Sequence, residues 1–128
     1  MSDFARLLKE LDALEGVQGE LAGIATRTDD ARKHELIKLR RKLAAQIGEV
    51  GTVADAIFAN ADTTIKQAYR DRLSEMRSAA ARHQANWPAV RLGEDLEQFH
   101  ASARDVRQAN KEFIAWTRGA IEQLQKNR

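Results

Sequence analysis

Residues 93–124 read GEDLEQFHASARDVRQANKEFIAWTRGAIEQL, and the spacing of their apolar side chains decides the class of the molecule. Leu96, Phe99, Ala103, Val106, Asn110, Phe113, Thr117, Ala120 and Leu124 alternate steps of three and four. That rhythm winds a single seam along one face of an α-helix, whereas a half-buried strand needs alternation by two. Glu94 and Asp95 at one end and Lys126 and Arg128 at the other complement the helix dipole. A helix over 94–126 spans roughly 50 Å at about 1.5 Å per residue. A compact bundle of 14.4 kDa needs less, so part of this seam is expected to face a partner.

Upstream of that stretch, Asn86-Trp87-Pro88 followed by Gly93 is the clearest connection in the chain. Proline disfavours α conformation at the residue before it, and glycine can cap the next helix. Three more helical stripes precede it. Asp3 can cap a helix over 3–26 bearing Phe4, Leu7, Leu8, Leu11, Leu14, Val17, Leu21 and Ile24. Thr28, Asp29 and Asp30 offer a cap and negative charge to a second helix over 29–59, with Leu36, Leu39, Leu43, Ile47, Val50, Ala54, Ile57 and Phe58. Asn60-Ala61-Asp62-Thr63 resembles a stop and a new cap, opening a third helix over 63–86 with Ile65, Tyr69, Leu73, Met76, Ala80, His83 and Trp87. The competing reading is one unbroken helix through that junction; Asp62 on the seam argues for the break. Alanine makes up about a sixth of the chain and proline occurs once, which favours helix throughout. The expectation is a single all-α domain over 1–128, an antiparallel four-helix bundle with a long C-terminal amphipathic helix, or alternatively an elongated helical hairpin.

Composition removes much chemistry. The chain holds 43% apolar and 31% charged residues, enough to build a core and cover it. With no cysteine there is no disulfide framework, thiolate metal site or cysteine nucleophile. No charged-then-apolar leader and no long apolar run is found, so a cytoplasmic protein without a membrane span is expected. Neither a Gly-x-Ser-x-Gly turn nor a glycine-rich phosphate loop occurs. Glu97 and His100 have the spacing of a carboxylate-bridged metal bundle, but that chemistry needs two copies and two further glutamates. The chain is therefore read as a non-enzyme, with no catalytic residue, metal or cofactor assigned.

Lys and Arg number 21 against 19 Asp and Glu, a formal net charge of +2, which argues against nucleic acid as the partner. The densest basic segment is 32–42, with Arg32, Lys33, Lys38, Arg40, Arg41 and Lys42. At roughly 100° per residue these side chains spread around a helix instead of forming a ridge. Phosphate binding through Arg40, Arg41 and Lys42 is thus the alternative function.

Two features point towards another polypeptide. Asn110 occupies the seam of the last helix, where a polar side chain selects register or partner at a cost in stability. Gly16, Gly19 and Gly23 lie at helical spacing, which allows either the close approach of another backbone or a frayed segment. The run Ala103-Arg104-Asp105-Val106-Arg107-Gln108-Ala109-Asn110-Lys111-Glu112-Phe113-Ile114 resembles the last helix of FlgN-type flagellar type III export chaperones, over about residues 100–124. The resemblance implies a C-terminal helix that holds an export substrate, with Asn110, Phe113, Ile114, Ile121 and Leu124 in that role. Trp116, at the seam's edge, joins this set as an aromatic anchor. The expected function is a helical interaction module, an export chaperone or adaptor, binding a partner helix; a second copy of the chain could complete the same seam and give a homodimer.

Overall fold

The computed structural model describes residues 2–127. Four helices run α1 Asp3–Ile24, α2 Arg32–Phe58, α3 Thr63–Asn86 and α4 Leu96–Lys126, with a short 3₁₀ turn at Ala89–Arg91. The architecture is an all-α helical bundle. Each helix packs on its sequence neighbour and α4 closes the ring against α1, with α1–α2 and α3–α4 the tighter pairs. Helices joined by short links become antiparallel neighbours. Accordingly Lys42 meets Glu20 at 3.2 Å while Gln46 donates to the Glu10 carbonyl at 2.9 Å, so α2 descends as α1 rises.

The core divides in two. The larger cluster fills the bundle with Leu7, Leu11 and Leu14 of α1, Ile47, Val50 and Phe58 of α2, Tyr69, Leu73 and Met76 of α3, and Phe113, Ile114 and Ile121 of α4. Each fully buried leucine there contributes roughly 1.5–3 kcal/mol. A smaller cluster of Ile24, Leu36, Leu39, Trp87, Leu92 and Phe99 closes the end where the 3₁₀ turn packs beside α2. Trp87 stands edge-on to Phe99 with centroids 5.9 Å apart, and the Arg91 guanidinium lies 4.4 Å over the Trp87 ring.

Helix ends depart from expectation where local hydrogen bonds compete. Ser2, not Asp3, caps α1 by accepting from the Ala5 N–H at 3.2 Å. α2 starts at Arg32 instead of 29, because Arg27 clamps both Asp29 oxygens at 2.8 and 2.6 Å and keeps that carboxylate from capping. The break between α2 and α3 is real: Asp62 is extended and caps α3 through the Ile65 N–H at 3.0 Å. α4 starts at Leu96, not 94, because Gly93 and Asp95 both take left-handed φ values, 100° and 38°. Asp95 still accepts from the Gln98 N–H as its cap.

Candidate functional site

From Phe99 onward the chain itself covers most of the α4 seam, while Leu96 at its start stays exposed. Asn110 and Phe113 are 0% exposed, Ile121 1% and Ile114 4%. Trp116 and Leu124 are half-buried and pack on the same core, Trp116 with its ring 5.7 Å from Phe58 and under Arg72 at 5.0 Å. Towards the far end of α4, Leu124 packs on the core beside Phe4 of α1 and Ile57 of α2 and stays partly open in the depression the three share. For Phe113, Ile114 and Ile121 the expectation that surplus seam faces a partner is therefore corrected, and Leu96 is the large seam residue left open. In the closed bundle Phe113, Trp116, Ile121 and Leu124 are packing residues, and Asn110 and Ile114 border an outward-facing groove between α1 and α4.

That groove runs between α1 and α4 and has a volume of about 550 Å³. Its α1 wall is cut low by Gly19 and Ala22. A Cβ placed on Gly16, Gly19 or Gly23 would meet nothing within 4 Å, so close approach by another helix of this chain is not why glycines stand there. All three face solvent. On the groove, Gln18 and Asn110 each carry a buried amide atom without a hydrogen-bond partner, Nε2 of Gln18 and Oδ1 of Asn110. The Asn110 Nδ2 donates back to the Val106 carbonyl at 2.8 Å, which fixes the side chain. Two residues that border the same groove thus each hold one unpartnered amide atom beneath its surface. Unpaired buried amides are costly, which favours any rearrangement at the groove that brings them a partner.

The α4 rim is basic. Arg104, Arg107 and Lys111 fall at steps of three and four, within an arc of about 60°, and all three border the groove. No carboxylate pairs with any of them among the described residues. Across the groove Glu15 is already engaged by Arg118 at 3.2 Å, and Arg118 also reaches Asp12 at 2.7 Å. In the sequence this ridge is overshadowed by the denser segment 32–42; its i, i+3, i+7 spacing is the signal that could have found it. Gln18 carries no such signal, since its burial depends on how α4 settles.

The basic segment does not act as a unit. Arg40 turns inward and is half-buried, Arg41 is exposed, and Lys42 is paired with Glu20. The three candidate phosphate contacts thus do not share one surface. Glu97 points to solvent while His100 is half-buried, and no group of three metal-ligating side chains forms among the described residues. No described helix is long and apolar enough to cross a membrane. Comparison with protein-family models, curated proteins and solved structures finds no match to the chain.

Proposed function

We propose that the chain is a protein-interaction module, an export chaperone or adaptor, whose α1–α4 groove receives an acidic amphipathic helix of a partner polypeptide. The observation that carries this reading is the meeting of two unpartnered buried amides, Gln18 Nε2 and Asn110 Oδ1, on a groove whose wall is lowered at Gly19. Docking that rearranges the groove's surface brings these amides a partner, and glycine lets the incoming backbone come close. The free cations of Arg104, Arg107 and Lys111 select acidic residues on the partner's flank and speed encounter. The likeness of residues 103–114 to the last helix of FlgN-type chaperones supports the same helix as the recognition element, by its flank instead of its seam.

A matched pair of substitutions tests this. Gly19→Gln fills the groove, while Gly119→Gln makes the same change at an exposed α4 position that borders none of the depressions described. Both replace a helical glycine and should keep or raise stability, by up to about 1 kcal/mol. Affinity capture from the native cell, quantified by mass spectrometry, should show a protein retained by the wild type and Gly119→Gln. The same protein should be lost with Gly19→Gln and with the double reversal Arg104→Glu, Lys111→Glu. Identical capture by all four chains would remove the groove as the interface.

A further inference from the structure

A second cavity, of about 50 Å³, lies where the two apolar clusters meet, and all four helices contribute to its wall. Most of that wall is apolar, with Leu36, Phe99 and Val106 among its members. Its ionisable members are Arg40, His83, His100 and Arg107, with no aspartate or glutamate. Arg40 is the unusual one. Its Nη2 is shut off from solvent with no hydrogen-bond acceptor, and no carboxylate forms an ion pair with it among the described residues. A half-buried cation without a counter-charge is unfavourable, because desolvation is not offset by any partner. Burial pulls the Arg40 guanidinium below its ordinary range, and burial followed by Arg40's charge lowers His83 to about 4. His83 is therefore neutral near pH 7; of the two guanidiniums on the wall, Arg107 also borders the open groove, whereas Arg40 has a nitrogen sealed from solvent without a partner.

We propose that this cavity is a binding site for a short-chain organic carboxylate, whose charged head neutralises Arg40 and whose alkyl body lies against Leu36, Phe99 and Val106. A mostly apolar wall beside the Arg40 guanidinium suits such an amphiphile. At about 50 Å³ the inner space is a third of the roughly 150 Å³ that takes a benzene ring, so it holds the carboxylate head while the alkyl body lies along the cavity's open mouth. This site is distinct from the groove and does not depend on a protein partner, although Ala22 and Arg107 border both.

Titration of the full chain with butyrate, 1-butanol and inorganic phosphate, by calorimetry and amide NMR, tests the proposal. Butyrate should saturate with a Kd on the order of 1 mM or tighter and shift amides of the lining residues, and 1-butanol should bind at least about tenfold more weakly. Arg40→Met should weaken butyrate by at least about tenfold, equivalent to about 1.4 kcal/mol. Ala103→Leu, which fills the cavity from α4 with Arg40 intact, should do the same, and it carries the test if Arg40→Met fails to fold. Butanol or phosphate binding as tightly as butyrate would overturn the assignment. So would no saturation below an order of 50 mM, or unchanged affinity in a folded variant.

Discussion

Replacing Asn110 by leucine should make the protein more stable and a poorer partner-binder. The side chain is fully buried, and its Oδ1 is unpaired. An unsatisfied buried acceptor costs about 1–3 kcal/mol, and removing it recovers that amount. Against this stands the loss of the Nδ2 bond to the Val106 carbonyl, about 0.5–1.5 kcal/mol for a neutral pair. That carbonyl keeps its main-chain partner within α4, so no new orphan is created. Leucine has as many side-chain heavy atoms as asparagine but a bulkier, tetrahedral end, for which the adjoining groove leaves room. The net gain is about 0.5–1.5 kcal/mol. With an unfolding entropy of about 2.1 cal/mol/K per residue, the whole chain loses roughly 0.27 kcal/mol per degree near its midpoint, so Tm should rise by about 2–6 °C. Scanning calorimetry on both chains measures the shift, and capture of the partner by the variant should fall in parallel. An unchanged or lower Tm would refute the reasoning, since it would mean that the Asn110 carbonyl is already satisfied in the folded protein.

The same packing yields two more expected outcomes. His83 has a folded pKa near 4 against an ordinary value of 6.5, so its stabilising contribution is present above about 6.5 and is lost as pH falls through 4. Urea midpoints should drop between about pH 7.5 and about pH 5, and His83→Phe should flatten that dependence. Trp116→Ala removes the contacts with Phe58 and Arg72, and should cost about 2–3 kcal/mol by equilibrium unfolding, less than a fully buried tryptophan. Loss of partner capture with unchanged stability would instead place Trp116 on the interface.

The helices are legible in the sequence because their stripes are long and regular, and because Asp62 and Pro88 interrupt them with recognisable chemistry. The first helix junction is not, since Thr28 and Asp29 look like a cap until Arg27 is seen to hold the Asp29 carboxylate. The destination of the α4 seam is likewise hidden. A periodic apolar stripe has the same spacing whether it is covered by its own chain or by another, so Phe113 and Ile121 can be read equally as anchors or as core. Asn110 stands out in the sequence as an anomaly in the seam. Its pairing with Gln18 on one groove is a tertiary fact, because the two residues lie on helices at opposite ends of the chain.

The division of the core places the two tryptophans in different company, Trp116 against the large cluster and Trp87 within the small one. Each indole is consequently an intrinsic fluorophore for its own half of the molecule. Paired single-tryptophan chains, Trp87→Phe and Trp116→Phe, would track denaturation from two vantage points without any added dye. Emission curves that fail to coincide would mean that the lid at one end loosens before the main barrel of helices gives way.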